Sequence, residues 1–393
     1  MTSKHQFVGK KVKLGELCEI YSGGTPKRSV SEYWTGGNVP WVKIGDITEK
    51  YVSSTEECIT QAGLNNSSAK LFKPGTLLYS IFASIGAVGI LNILAATNQA
   101  IAGLVIRDNS LDHDFLYHYL KSREVASKTS GRGVAQSNIN LTILRNMQVP
   151  VPPLVVQKEI VQNLEIVSRQ LKMAKLQLSK LDSLVKSRFV EMFGDFACYE
   201  TKPLIKCVDC IEAGKSPKCL AFSRKMAEPG VLKLSAISSG VYCENENKAL
   251  PRSVSLTIDK VVHANDILLS RKNTPELVGR SVLVKHTDGN IMFPDIIFRM
   301  HPLSPINAMY LSYLLAGPLL HSIQSLAHGS AKSMSNIPKS ELAKLSIPIP
   351  ALNLQNEFAN FASQVDKSRF VAQQQIEKLQ LLYDSLAQEY FGE

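Results

Sequence analysis

Gln148-Val149-Pro150-Val151-Pro152-Pro153-Leu154 recurs 198 positions later as Ser346-Ile347-Pro348-Ile349-Pro350-Ala351-Leu352. Held without a gap, that offset pairs Gln157 with Gln355, Glu159 with Glu357, Val167 with Val365, and Leu181 with Leu379. Both copies close on the same dipeptide, Phe193-Gly194 and Phe391-Gly392. Running backwards, Ser137-Asn138-Ile139 matches Ser335-Asn336-Ile337. Earlier in each half the likeness continues at an offset of 190: Val39 to Ile47 (VPWVKIGDI) faces Pro229 to Ile237 (PGVLKLSAI), with Lys43 opposite Lys233. Gly75 to Ser80 likewise faces Asn265 to Ser270. A period this long means duplicated domains and not a solenoid, and 393 residues exceed one ordinary core. Two large segments, 1–150 and 196–348, are each followed by a short one, 151–195 and 349–393.

The short segments read as long helices. Pro152 and Pro153 suit a first helical turn, where a missing N–H costs nothing, and no Gly or Pro follows before Gly194. Ile160, Leu164, Val167, Leu171, Ala174, Leu178, Leu181, Val185, Arg188 and Met192 alternate in spacings of four and three, which predicts a heptad seam. The second seam is Phe358, Ala362, Val365, Arg369, Ala372, Ile376, Leu379, Tyr383, Leu386 and Tyr390. One such stripe is usually an ordinary core face. Two matching ones favour pairing with each other, antiparallel if the duplicates are related by a two-fold axis. At ~1.5 Å per residue such a pair spans roughly 50 Å, against ~34 Å for a turn of duplex DNA. The large segments mix strand-like runs with one late helix each, Asp112 to Ser127 and Ala308 to Leu326, the latter interrupted by Pro318. The predicted class is mixed α/β (α+β): two globular heads in pseudo-two-fold arrangement, joined by two long antiparallel coiled-coil helices.

Charge follows the same division. Segment 1–150 carries 16 Lys and Arg against 11 Asp and Glu, and 196–348 carries 18 against 12; the helical segments carry 7 against 5 and 3 against 6. Positive charge thus sits on the heads, which makes a polyanion a plausible partner. The region Met1 to Lys13 shows no secretory pattern, and no apolar run reaches the ~20 residues of a membrane span, so a cytoplasmic location is expected. Seven scattered cysteines suit a reducing compartment. Cys207 and Cys210 form a C-x-x-C without a second close pair; at the repeat offset they face Leu17 and Ile20, so buried thiols are expected and no metal.

Catalytic patterns fail on inspection. Gly214-Lys215-Ser216 resembles the end of a phosphate-binding loop, but Asp209 stands where its first glycine is required. Pro294-Asp295 lacks a following Glu-x-Lys, and the eight histidines form no cluster. No catalytic residue is therefore assigned. Residue types that reach phosphates and base edges do gather in corresponding places. Thr25, Lys27 and Arg28 share a loop with Gly23 and Gly24; Lys215, Ser216 and Lys218 share its counterpart. Lys43 and Lys233 lie on matching strands, and Arg271, Lys272, Asn273 and Arg280 follow another. Arg132 and Gln136 in one small-polar loop answer Lys332 and Ser333 in the other. Each taken alone is more readily a solvated loop residue.

Taken together, the duplicated Pro-rich helix starts with Gln157, Glu159, Gln355 and Glu357, the turn Gly23-Gly24-Thr25-Pro26, the Val39 to Ile47 segment and the Phe-Gly ends resemble the specificity (S) subunit of type I restriction-modification systems. The likeness covers essentially the whole chain. It departs at Lys215-Ser216-Pro217, where the second copy would carry Gly-Thr-Pro. The resemblance implies a non-catalytic subunit whose two target-recognition domains each read half of a split duplex DNA target, with the helices as spacer. It also implies docking of adenine methyltransferase (M) subunits and of a restriction and motor (R) subunit, which would carry S-adenosylmethionine, ATP and magnesium, none of them bound by this chain. A scaffold that never touches DNA would share the helices but not the basic heads. A DNA-binding regulator would be expected to show a helix-turn-helix.

Overall fold

The computed structural model describes residues 10–82, 86–129, 139–329 and 334–392. It falls into two compact units, Met1–Leu176 with Gln373–Glu393, and Gln177–Ala372. Each unit holds one head, half of the first long helix (Leu154–Phe193) and half of the second (Leu352–Phe391), both 40 residues long.

In the first unit, a five-stranded sheet runs in the order Cys18–Ser22, Ile101–Ile106, Leu77–Ser80, Val88–Leu91, Tyr51–Val52. A four-stranded sheet runs Glu57–Ile59, Val39–Val42, Ala95–Thr97, Leu71–Phe72. The central strand Leu77–Ser80 is buried throughout because it is covered on both faces. Leu77 and Tyr79 join the core beneath the helix His113–Thr129, while Leu78 joins a second core with Val42 and Phe72. The second unit repeats this division at the offset of 190: Ile267 and Leu269 face one core, Leu268 the other. Its main sheet runs Glu212–Ala213, Ile297–Met300, Ile267–Ser270, Ser281–Leu283. Pro318 ends the late helix at Ala316, and a second short helix, Leu320–Ser325, resumes after it.

Both heads are tied to their helices in the same way. Lys11, Val12 and Lys13 pair antiparallel with Pro150, Val149 and Gln148; Thr201, Lys202 and Pro203 pair with Pro348, Ile347 and Ser346 in the equivalent register. Gln157 then staples the first helix to its head. Its Nε2 donates to the carbonyls of Ser110 (2.6 Å) and Pro152 (2.8 Å), and its Oε1 accepts from the Asp112 N–H at 2.8 Å. Gln355 does the same with Pro305 (3.3 Å), Pro350 (2.8 Å) and the Asn307 N–H (2.9 Å). Both side chains are fully buried, so these bonds satisfy backbone groups that water cannot reach.

The helix halves pair within each unit. In the second, Asp182 meets Arg369 at 2.8 Å and Arg188 meets Glu357 at 3.2 Å, so one helix ascends as the other descends. In the first, Asn163 Nδ2 donates to the Tyr390 hydroxyl at 3.0 Å. Ile160, Leu164, Val167, Leu379 and Tyr383 are buried in the first core, with Leu171, Ile376 and Leu386 packed at its edge. Val185, Phe358 and Val365 are buried in the second, with Leu181 beside them, and Leu178 is half-buried. The heptad expectation needs one correction. Beyond Val185 the buried positions are Phe189 and Phe193, not Arg188 and Met192. Beyond Tyr383 they are Ala387 and Phe391, not Leu386 and Tyr390. A 3.6-residue turn drifts away from a 3.5-residue seam, and the last turns face the head as well as the partner helix.

The junctions differ in filling. In the first unit His118, 1% exposed, lies between the Tyr383 hydroxyl (Nδ1, 2.9 Å) and Glu165 (Nε2, 3.2 Å). Lys50 pairs with Glu165 and, at 2.8 Å, with Asp114. The hydrogen bond from His118, helped by Lys50, pulls the Glu165 carboxyl down to about 2. In the second unit Phe189, Phe193, Tyr310, Tyr313 and Phe358 form an aromatic cluster with centroids 4.8 to 6.3 Å apart.

Candidate nucleic-acid interface

The glycine-containing loops are drawn hard against their sheets. In the first head the N–H groups of Gly23 and Gly24 donate to the carbonyls of Ile101 (3.0 Å) and Thr97 (2.8 Å). A Cβ at Gly23 would stand 2.2 Å from the Asn98 carbonyl oxygen, and one at Gly24 2.3 Å from the Ala69 nitrogen, so only glycine fits. Gly214 plays this part in the second head, where a Cβ would come within 1.9 Å of the Phe293 carbonyl oxygen.

Three candidate segments converge at each loop through matched backbone bonds. The Ile81 N–H donates to Ala100 at 2.8 Å and the Ile139 N–H to Ile81 at 3.0 Å; correspondingly Arg271 donates to Ile296 at 2.9 Å and Ile337 to Arg271 at 3.0 Å. The loop at 23–28, the strand end at 81 and the segment from 139 are thereby neighbours, as are 214–218, 271–273 and 335–337. Lys272 and Asn273 pair with Asn336 and Ser335. Ser216 hydrogen-bonds the Asp295 carboxylate, and Arg271 Nη1 donates to the Asp295 carbonyl at 3.4 Å. Asp295 therefore buttresses the loop.

The individual side chains sort unevenly. Lys27, Lys215 and Lys218 are exposed and, among the described residues, take part in no salt bridge. Thr25 is hydrogen-bonded to Gln99. Arg28 is bonded to Glu57 at 2.5 Å, and Lys43 to Glu56 (2.8 Å) and Glu57 (2.9 Å); those bonds, Glu56 first, push the Lys43 ammonium well above its ordinary range. Lys233 lies 3.7 Å from Glu246, the equivalent of Lys43 beside Glu56. Both lysines thus face a carboxylate, Lys43 closely and Lys233 loosely. Arg280 spends a donor on the Ser238 carbonyl at 2.8 Å. Asn273 is 6% exposed: it takes the Thr274 N–H at 2.9 Å and donates to Ser270, so it holds a turn and does not reach the surface. Arg132, Gln136, Lys332 and Ser333 lie outside the described residues. Of the cysteines, Cys207 is buried, which raises its thiol, and Cys210 is half-buried.

Sequence reasoning missed two groups. Trp34 and Trp41 stand edge to face at 5.1 Å beneath Arg28, whose Cζ is 3.7 Å from the Trp34 ring centroid. Lys70, exposed, lies 3.9 Å over the Tyr21 ring. Two tryptophans in one chain, both within eighteen residues of Gly23-Gly24, were a usable signal. Among the described residues no helix is long and apolar enough to cross a membrane.

A family model described as a type I restriction modification DNA specificity domain matches residues 9–181. The specificity subunit of the type I restriction enzyme MjaIX from Methanocaldococcus jannaschii is 26% identical over 198 residues, 49% of this chain and 45% of that protein. That of EcoEI from Escherichia coli is 35% identical over 148 residues, 37% of this chain and 25% of that protein. The chain thus spans less than half the length of these curated relatives. The solved S subunit of a type I restriction-modification system from M. genitalium shares the fold across 100% of this chain and 98% of its own, with a TM-score of 0.53 at 14% identity.

Proposed function

We propose that this chain, whose residues 9–181 match the type I restriction modification DNA specificity domain, reads a bipartite duplex target, one half-site per head, with the long helices setting the unread spacer. The observation that carries the proposal is the repeated convergence: each head brings a glycine-pinned loop with exposed lysines beside a strand end and the segment leading to the helix. A surface built twice on one plan suits two separate encounters with one kind of ligand, and its free lysines suit phosphate. In this reading the chain performs no catalysis and binds no cofactor. Methyltransferase subunits carrying S-adenosylmethionine and a restriction subunit using ATP and magnesium dock on it.

The test is co-expression with a cognate methyltransferase subunit and long-read mapping of methylated adenines. A two-part motif with a constant gap is the expected result; methylation without any such motif overturns the proposal. Inserting one heptad within residues 160–192 should lengthen the gap and leave both half-sites unchanged. Affinity for duplex DNA should fall steeply with salt, which a pure scaffold would not show.

A further inference from the structure

We infer that Arg28 reads a guanine in the half-site bound by the first head; this rests on the DNA-reading function proposed above and names the side chain and base it uses. The Arg28 guanidinium is 54% exposed yet held from three sides. Its Cζ stacks 3.7 Å over the Trp34 ring and lies 5.1 Å from that of Trp41. Its Nη1 donates to Glu57 Oε2 at 2.5 Å. Both indoles also fix the loop itself: Trp41 Nε1 donates to the Gly24 carbonyl (2.9 Å) and Trp34 Nε1 to that of Lys27 (3.2 Å). The planar fork therefore meets a ligand already oriented, with little rotamer entropy left to lose.

Local charge separates a base from a phosphate as its target. Arg28 and Lys43 are matched by Glu56 and Glu57, so the cluster has no net charge to attract phosphate. The adjoining Lys27 is exposed and suits that task. Arg28 offers two-donor geometry without surplus charge, and guanine is the base that presents two acceptors, N7 and O6, to a side-chain fork in the major groove. The second head lacks this device. The repeat offset places Lys218 opposite Arg28, Arg224 opposite Trp34 and Val231 opposite Trp41. Among the described residues no ring lies beneath Lys218, which suits it to a phosphate.

The experiment uses the full chain assembled with its methyltransferase subunit. It measures competitive binding to duplexes that carry the mapped motif and every single-base-pair change in it. Arg28→Lys keeps the charge and loses the fork. It should weaken binding to the cognate duplex about 10-fold or more and level the four bases at one G·C position of the first half-site. Discrimination in the second half-site stays intact and reports that the complex is folded. Glu57→Gln, which loosens the anchor, should blunt preference at the same position. Lys218→Ala should weaken all duplexes alike and lower the salt slope by about one. The assignment is overturned if Arg28→Lys leaves every base preference in place, or if it weakens all duplexes equally. Failure of the wild-type complex to prefer any sequence would overturn the DNA-reading function itself, and is seen before any variant is made.

Discussion

Where the first head meets its helices, His118 sits among Glu165, Lys50 and Tyr383; at the matching place in the second unit stand Tyr313, Ser363 and Val185. The backbone around these positions is the same: Gln157 and Gln355 grip loops 195 residues apart, and the late helices begin 195 residues apart, at His113 and Ala308. One junction was filled with ionisable groups and the other with rings. Buried charges are held by hydrogen bonds that only partly repay their desolvation, whereas ring clusters gain from area and edge-to-face contact. A duplicated scaffold therefore tolerates quite different interiors, provided the backbone donors and acceptors remain satisfied.

The contrast can be broken in three ways. The largest effect is expected from Phe358→Ala, which opens the second junction where the first has the smaller Ile160. It should cost about 3–5 kcal/mol, seen in calorimetry as earlier melting of the second unit alone. A loss below about 1 kcal/mol would mean that the rings contribute little. Next come Gln157→Ala and Gln355→Ala, each expected to cost about 1–3 kcal/mol by leaving buried backbone groups unpaired. The two values should agree, and a clear inequality in denaturant titrations would refute a shared staple. Glu165→Gln is the mildest, about 1 kcal/mol at neutral pH given partial exposure of the carboxylate. Because the folded carboxyl titrates near 2, below its usual 4.5, its stabilisation is complete above pH 4.5 and fades as pH falls towards 2. The wild type should lose stability faster than Glu165→Gln across that window, with the second unit responding alike in both proteins.

Much of this architecture was legible in the repeat. The Pro-rich strand ends, both 40-residue helices and the break at Pro318 follow from local chemistry that a single sequence displays. The drift of the seam to Phe189 and Ala387 did not show, because it depends on which surface each last turn faces. His118 was invisible because its partners come from positions 165 and 383, whose proximity only the tertiary fold creates. The lysines were half legible: Lys43 and Lys233 stand one residue past the ends of matched strands, and Glu56 and Glu246, which keep the same offset, are the carboxylates they meet. Lys27, Lys215 and Lys218 remained as candidate contacts; the importance of Arg28 emerged only with the indoles beneath it.

Phe391 packs edge to face against Phe115 (5.4 Å) and Tyr119 (5.6 Å), and its carbonyl takes a hydrogen bond from Arg123 at 2.8 Å. A ribosome at ~5–20 residues per second delivers that ring only after more than two hundred further residues have been made. Until then the nascent first unit carries an uncapped apolar slot. The second unit, whose residues are contiguous from Gln177 to Ala372, can close before the first has its last side chain. Synthesis order and packing order are thus inverted: the head made first receives its last packing partner, against Phe115 and Tyr119, after every residue of the second unit has been made.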